Sequence, residues 1–418
     1  MHDSGKWDWE TGKKEVSDIG KWMEEFEWIE EPYVSPDGEK VASVVRTGDE
    51  MEFTACVNGT AWENTFDKVW YLRFTPDNRL TGLVSDMGEW TVAVDDQVWE
   101  NRFEFVWNSM FGKDGRNIAI AAQKERKYLA AVNDTAWEHG FENMTNLTVS
   151  PDGERTAGVI QTVGFGETEF LKFQEGCYSV AVDGKAWGRN FVNVWELAFS
   201  PDNRHVAAEV RTNLYDYTIA VDGIPWKEMF ASVWKPQFSP QDESVTAPVK
   251  IGGSWTLAQD GKPIWGKKFI QVWHHMYSPD GKKLAAVVAP EFGRWTIAVD
   301  YNAWELTFGD LVTDAVFSPD GNSVACVGKE DDKWMVAVNG TAWDGKFDMA
   351  WQPVFSPDSI RVAAKVEKNG LYTILADGQP LGKESEAAWD PVFSPDGKKL
   401  LIRSIREGKY FREVIPLT

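Results

Sequence analysis

AVDGKAWGRNFVNVWELAFSPDN, residues 181–203, is the stretch of sequence that decides the fold. The Ser-Pro-Asp-Asn turn at its end returns along the chain, most often as Ser-Pro-Asp-Gly. Successive turns are 40, 37, 38, 50, 39, 39, 40, 38 and 38 residues apart. A nearly constant period of this length indicates a repeat protein. The ten turns begin at Ser35, Thr75, Gly112, Ser150, Ser200, Ser239, Ser278, Ser318, Ser356 and Ser394.

Each repeat contains four short segments that are rich in β-branched and aromatic residues and bounded by turn residues, as β-strands are. Segments 194–199, 283–288, 295–300 and 303–308 are examples of the four kinds. Proline in Ser-Pro-Asp-Gly presets the backbone of a type I turn, and glycine supplies the left-handed residue after it. Dipeptides such as Asp183-Gly184 lie between the third and fourth segments and predict tight hairpins. The repeat is therefore expected to be a four-stranded antiparallel meander.

A helix is the competing interpretation, because Trp62, Phe66, Trp70 and Phe74 are spaced by four residues. A spacing of four also keeps side chains on one face of a strand. Proline inside a helix costs about 3 kcal/mol, so equivalent stretches that contain proline cannot all be helical. These prolines are Pro225, Pro236, Pro263, Pro353 and Pro391.

The two ends of the chain complement each other. Trp22 lies 13 residues before Ser35, as Trp187 lies 13 before Ser200, whereas the tenth repeat stops after its third strand. We therefore expect residues 17–26 to be an outer strand that completes the last repeat and leaves no open sheet edge. The predicted fold is an all-β, single β-propeller of ten four-stranded blades over residues 1–418. Two five-bladed propellers are the alternative.

The chain has 65 acidic and 43 basic residues and a formal net charge of −22, which disfavours nucleic acid and anionic membrane surfaces as partners. No apolar run follows the charges of the N-terminus, so no signal peptide is expected. No stretch approaches the roughly 20 apolar residues of a membrane span. The three separated cysteines, Cys56, Cys177 and Cys326, suit a reducing compartment. These features predict a cytoplasmic protein.

Twenty of the 23 tryptophans recur at fixed places in the first, third and fourth strands. Tryptophans could stack on sugars, relay electrons or pack blade against blade, and their fixed register favours packing. Trp7, Trp9 and Trp28 lie outside the pattern. These three are our candidates for contacts with another protein.

The one irregular interval contains residues 161–176, QTVGFGETEFLKFQEG, an extended loop between the second and third strands of the fourth repeat. Loops at this place vary between repeats, and binding specificity concentrates on variable loops held by a rigid scaffold. Phe165, Phe170 and Phe173 are therefore predicted to bind a protein partner. The alternative is that the loop folds back over its own blade.

Motifs for catalysis, cofactors and metals are missing from the sequence. It contains no Cys-x-x-Cys-His haem motif, no phosphate loop and no nucleophile elbow. His274 and His275 are adjacent and would point to opposite faces of a strand. Acidic residues that follow the fourth-strand tryptophan recur from repeat to repeat, which is typical of structural groups. A catalytic pair needs one acid whose environment differs from that of the others. We predict no catalytic, cofactor-binding or metal-binding residue, with a hydrolytic or carbohydrate-binding propeller as the alternative.

The run SPDGKKLAAVV, residues 278–288, comes back in variant form once per blade and resembles the TolB-like and WD40-like propeller repeats. With its tryptophan content, the chain also resembles the tryptophan-rich subunit of a transmembrane electron-transfer complex of sulfate-reducing bacteria. That resemblance implies an accessory scaffold without a cofactor of its own. It also implies iron–sulfur, cytochrome b and multihaem cytochrome c subunits as partners, and membrane association through them.

Overall fold

The computed structural model describes residues 4–47, 52–164 and 170–417. In these residues the chain forms ten antiparallel sheets, one per repeat, and the N-terminal strand joins the sheet of the last repeat. The predicted all-β propeller of ten four-stranded blades is confirmed. We number the blades by repeat.

The second and third strands of each blade form its centre. The second strands are Val41–Thr47, Leu80–Asp86, Ile118–Lys124, Thr156–Gln161, Val206–Arg211, Val245–Ile251, Leu284–Glu291, Val324–Glu330, Val362–Lys368 and Lys399–Arg406. The third strands are Glu52–Val57, Glu89–Val94, Lys127–Val132, Tyr178–Val182, Tyr217–Val221, Ser254–Gln259, Arg294–Val299, Lys333–Val338, Leu371–Ala376 and Lys409–Pro416.

The first strand is continuous in six blades, where a bulge usually interrupts its register. These strands are Lys68–Phe74, Phe105–Phe111, Met144–Val149, Asn193–Phe199, Gln271–Tyr277 and Leu311–Phe317. In the other blades it is short or split in two: Trp28–Ile29 with Tyr33–Val34, Gln237–Phe238, Met349–Ala350 with Val354–Phe355, and Ala387–Ala388 with Val392–Phe393.

The fourth strand is shorter than its sequence pattern suggested. In eight blades it has two residues: Thr60–Ala61, Gln97–Val98, Thr135–Ala136, Lys185–Ala186, Ile224–Pro225, Lys262–Pro263, Asn302–Ala303 and Thr341–Ala342. Beyond it, the backbone returns once more to the third strand, as where Phe103 exchanges two hydrogen bonds of 2.8 and 2.9 Å with Trp90. Only blades nine and ten have a long fourth strand in the described chain, Gln379–Ser385 and Gly12–Asp18.

Side chains of the hairpin turns hold the meander together. Asp183 has φ of 49°, the left-handed conformation that Asp and Asn tolerate, and Gly184 follows with φ of 77°. The Oδ1 atom of Asp183 accepts a 2.9 Å hydrogen bond from the backbone N–H of Thr156, at the start of the second strand. The same bond recurs in blades one to nine, which explains why the turn residue is always Asp or Asn. Its acceptors are Asn58, Asp95, Asn133, Asp183, Asp222, Asp260, Asp300, Asn339 and Asp377.

The described residues group into two compact units, one made of residues 44–55 and 61–266 and the other of residues 4–43, 56–60 and 267–417. In each unit the core is a series of apolar clusters shared by successive blades. In the first unit, Val159 of blade four packs with Val210 of blade five. In the second, Ala363 of blade nine packs with Leu400 of blade ten.

The closing strand lies earlier in the sequence than predicted. Gly12–Asp18 pairs with Lys409–Pro416, and most of the predicted span 17–26 is instead a short helix, α1 (Ile19–Glu25). The seven-residue strand is stabilised by tertiary contacts, since the Lys13 ammonium lies 3.6 Å from the Phe411 ring centroid and Lys409 Nζ lies 3.1 Å from Glu15. The sequence spacing correctly located Trp22, but it did not show that the backbone around Trp22 is helical.

Trp22 nevertheless occupies the place predicted for it. A Cβ atom on Gly59 would lie 3.2 Å from Nε1 of Trp22. The hairpin glycines Gly184 and Gly223 stand in the same relation to the fourth-strand tryptophans Trp137 and Trp187 of the preceding blades. The fourth-strand tryptophan therefore packs on the hairpin glycine of the next blade, where a side chain would collide with the ring.

Replacing Trp22 by alanine is expected to cost about 3–5 kcal/mol of unfolding free energy, because the indole is 2% exposed. Met23 is 74% exposed, so Met23→Ala should change stability by less than about 0.5 kcal/mol. Urea denaturation followed by tryptophan fluorescence measures both variants. Equal midpoints for the two variants would contradict this position of Trp22.

Candidate interaction surfaces

The hairpin tips between the second and third strands carry the most exposed large apolar side chains of the described residues. Phe292 is 92% exposed, Met87 is 87% exposed and Tyr215 is 80% exposed. In a meander these tips lie at the end of the sheet opposite the Ser-Pro-Asp-Gly and Asp-Gly turns. Met87 and Tyr215 belong to the first unit and Phe292 to the second. Sequence variability indicated these loops, but burial alone shows which side chains project into solvent.

The extended segment of blade four is only partly a loop. Its end forms a second helix, α2 (Phe170–Glu175), and the buried Cys177 donates a 3.2 Å hydrogen bond from Sγ to the carbonyl of Lys172. Phe173 is half-buried, whereas Leu171, which the sequence did not single out, is exposed. Phe165 and the side chain of Phe170 lie outside the described residues, so their predicted role stays a prediction.

Two of the predicted contact residues near the N-terminus, Trp7 and Trp9, make contacts within the chain. The Trp7 and Trp9 rings stack with centroids 6.1 Å apart, and both are half-buried. Lys399 Nζ, in the last blade, donates a 2.7 Å hydrogen bond to the carbonyl of Trp9. Trp28 is 42% exposed, so it is the most accessible of the three. The role of these three residues in partner binding stays a prediction.

First-strand tryptophans form ring contacts within their own blade, in addition to the expected packing between blades, as where Trp273 packs against a cluster that includes Val312 of blade eight. They lie against the aromatic residue that opens the third strand of the same sheet. The ring centroids of Trp273 and Trp295 are 4.3 Å apart, and those of Trp234 and Trp255 are 5.4 Å apart at an interplanar angle of 7°. Similar pairs occur at Trp107–Tyr128, Trp195–Tyr217, Trp351–Tyr372 and Trp389–Tyr410.

Polar side chains that do not repeat occupy the first-strand bulges. In the second unit, His274 has φ of 45° and Asp314 has φ of 52°. Burial raises the pKa of Asp314, nearby His274 lowers it, and Asp390 raises it. His274 is exposed while His275 is buried, as expected for adjacent residues on a strand.

Blade five has a buried carboxyl group, that of Glu209, opposite its first-strand bulge. Glu209 is 6% exposed on the second strand, opposite the bulge that contains Glu196. Burial, reinforced by the charge of Glu196, raises the pKa of Glu209 to about 8. Lys235 of blade six lies 3.6 Å from Glu196. The sequence analysis missed Glu209, although its position among apolar equivalents in other blades was visible.

One group of side chains in the described chain could hold a metal ion, namely Asp202, His205 and Glu243. His205 Nδ1 lies 2.6 Å from Asp222, and this hydrogen bond raises the pKa of His205. Asp202 already accepts a 2.5 Å hydrogen bond from the Ser200 hydroxyl, which lowers its pKa. The sequence analysis considered the histidines singly and missed this group. In blade four Arg155 pairs with Asp183 at the equivalent place, so a structural role accounts for His205 as well.

The three cysteines are buried thiols. Burial raises the pKa of Cys56 to about 11 and that of Cys326 to about 12. Thiols in this state are poor nucleophiles, because the reactive form is the thiolate. They pack as small apolar side chains.

Comparisons with known proteins support the fold. No protein-family model matches the chain, and no curated protein matches its sequence. A crystal structure described as the eukaryotic initiation factor is 14% identical, with a TM-score of 0.50, and the match covers 79% of this chain and 90% of that one. The Dos1 propeller is 11% identical with a TM-score of 0.35, covering 97% of this chain and 94% of that one. TolB from Acinetobacter baumannii is 14% identical with a TM-score of 0.30, covering 74% and 78%.

At these identities the matches concern the fold alone. None of the described helices is both long enough and apolar enough to cross a membrane.

Proposed function

We propose that the protein is a non-enzymatic scaffold that binds other proteins through the hairpin tips between the second and third strands of its blades. The observation that carries this proposal is the concentration of exposed apolar side chains at these tips: Met87, Tyr215 and Phe292. Large apolar groups in water are stabilised by covering them, and such positions commonly mark interfaces. The rigid sheets hold the tips in fixed positions, which reduces the entropy lost on binding.

The more specific form of the proposal is an accessory cytoplasmic subunit of a membrane-bound electron-transfer complex. Its partners would be the iron–sulfur, cytochrome b and multihaem cytochrome c subunits, and it would reach the membrane through them. The 23 tryptophans and the propeller repeats support this form by resemblance. Leu171 on α2 is exposed and adds an apolar side chain to the fourth blade. Phe165, Phe170 and Phe173 stay predicted contact residues.

Exchanging the tip residues for serine is expected to weaken partner binding while the propeller stays folded. The double variant Met87→Ser/Tyr215→Ser should bind about thirtyfold to a thousandfold more weakly, since apolar interface residues contribute about 1–2 kcal/mol each. Phe292→Ser tests the second unit in the same way. The effect is measured by purifying each tagged variant from the native host and quantifying the proteins that copurify with it.

Matched controls lie on the tight turns at the other end of the sheets. Ile224, in the first unit, is 74% exposed, and Ile360, in the second unit, is 77% exposed. Ile224→Ser and Ile360→Ser should therefore leave partner recovery unchanged. Equal losses from tip and turn variants would contradict the proposed surface, and saturable binding of a simple glycan in place of proteins would favour the carbohydrate-binding alternative.

A further inference from the structure

Glu209 interrupts an apolar position of the repeat. Its side chain is 6% exposed, and the described contacts give its carboxyl group neither a hydrogen-bond nor an ion-pair partner. Burying a carboxyl group without a partner is costly, so such a group needs a reason. Seven other blades have an apolar residue at the equivalent place: Val44, Leu83, Ala121, Val159, Pro248, Val287 and Val327.

The two remaining blades show how this fold satisfies a charge at that position. In blade nine, Lys365 Nζ lies 3.1 Å from Asp390 of the next blade and 4.3 Å from the ring centroid of Trp351. In blade ten, Arg403 donates hydrogen bonds to the carbonyl groups of Ser35, Pro36 and Asp390. Both cations thus have partners within the described chain, whereas Glu209 has none.

The surroundings of Glu209 favour a cation as its binding partner, because they contain a second carboxylate. Glu196 is half-exposed on the facing bulge, and its charge acts on Glu209. Lys235 is the sequence equivalent of Asp390, but its ammonium group lies 3.6 Å from Glu196 rather than pairing with Glu209. Ala207, on the same face of the strand as Glu209, packs into a cluster with Val233 of blade six. The carboxyl group thus lies at the edge of an apolar contact between two blades, beside a second carboxylate.

We propose that Glu196 and Glu209 form a binding site for an ammonium or guanidinium group, presented by a lysine or arginine side chain of a protein partner. The inference rests on the proposed scaffold function, because that function supplies the side chain. Calcium and magnesium prefer six or more oxygen ligands, whereas two carboxylates beside apolar side chains suit an organic cation with a hydrocarbon stem. The net charge of −22 draws basic partners toward the chain.

Binding at this site releases a proton. The raised pKa of Glu209 means that its carboxyl group is mostly protonated at pH 7. A cation placed beside it favours the ionised form, so the proton leaves as the cation binds. Lys235 competes for the Glu196 carboxylate, and its exposed, flexible stem lets it move into solvent when another cation arrives.

Isothermal titration calorimetry of the whole chain tests the site with three blocked pentapeptides, Gly-Ala-X-Ala-Gly, where X is arginine, lysine or the neutral arginine isostere citrulline. Titrations at pH 7 in two buffers of different ionisation enthalpy count the protons released. We expect the arginine or lysine peptide to bind with release of up to about one proton, and the citrulline peptide to fail. Glu209→Gln should weaken binding about tenfold or more, and Lys235→Met should strengthen it about threefold.

Two control variants make the same changes of charge elsewhere on the first unit. Glu154→Gln alters an exposed turn residue and Lys185→Met the exposed first residue of a fourth strand, and both should leave the affinity within about twofold. Unaltered binding in Glu209→Gln would overturn the proposal, and so would preferential binding of calcium or magnesium chloride that depends on Glu209. If blocked single arginine binds but the peptide does not, the site takes a small free cation and the assignment to a partner side chain is wrong.

Failure of the scaffold proposal is distinguishable from failure of this site. The peptide titrations need no natural partner, whereas the hairpin-tip variants are measured by partner recovery. Peptide binding that depends on Glu209, with partner recovery unaffected by the tip variants, would retain the site and reject the proposed tip surface.

Discussion

A chain that lacks residues 1–18 is expected to self-associate and to unfold at a lower temperature than the full chain. The deletion removes Gly12–Asp18, whose backbone pairs with Lys409–Pro416 from Gly12↔Val414 to Asp18↔Lys409. It leaves the third strand of blade ten as an open sheet edge, and such edges pair with other molecules. The ion pairs of Lys409 with Glu15 and Asp18 are lost as well.

Size-exclusion chromatography with light scattering and thermal unfolding measure this effect. A synthetic peptide of residues 7–18 supplied to the truncated chain should restore the monomer, because it can refill the vacant edge. A truncated chain that stays monomeric with an unchanged unfolding temperature would show that the terminal strand contributes little to closure.

The second large effect is expected from Glu209→Val, which gives blade five the residue of blades one, four, seven and eight. Burial raises the pKa of Glu209 from 4.5 to about 8, so between these pH values the folded state holds a proton that the unfolded chain has lost. Folding stability therefore falls as pH rises through this window, by about 1.4 kcal/mol per pH unit, and the cost is complete above the folded pKa. The valine variant lacks this slope and should exceed the natural chain by roughly 3–5 kcal/mol at pH 9.

At pH 4 the difference should be smallest, because the glutamate is then protonated in both states. Chemical denaturation of both chains at pH 4, 6, 7.5 and 9, without cationic ligands, gives the two slopes. Glu154→Gln serves as the control on an exposed turn and should follow the natural chain at every pH. Parallel curves for Glu209→Val and the natural chain would mean that Lys235 already neutralises Glu209 in solution.

Local chemistry explains why so much of the architecture could be predicted. The Ser-Pro-Asp-Gly period counts the blades, since each turn closes within a few residues: Gly38 N–H donates a 3.0 Å hydrogen bond to the carbonyl of Ser35. The Asp-Gly hairpins are equally local, because Asp183 and Gly184 need left-handed φ values that few other residues accept. The position of Trp22 followed from spacing alone, since nine of the ten blades have a tryptophan at this place.

The candidate sites were less predictable, because they depend on what the repeat leaves exposed or unpartnered. Sequence variability indicated the hairpin tips, but the exposed Met87, Tyr215 and Phe292 are known only from burial. Phe173 and Trp9 looked free in the sequence and are half-buried against their own chain. Glu209 stood out from its equivalents, yet only the fold shows that no cation reaches it.

The sequence by itself determined the number of blades, the order of their strands and the residues of their turns, because those depend on contacts between near neighbours along the chain. Tertiary structure alone decided which N-terminal residues close the last blade. Gly12–Asp18 is a charged segment with little strand character, and it becomes a strand by pairing with residues almost 400 positions away. It also decided the state of Glu209, since the pKa of a carboxyl group depends on burial and on neighbouring charges that separate segments of the chain bring together.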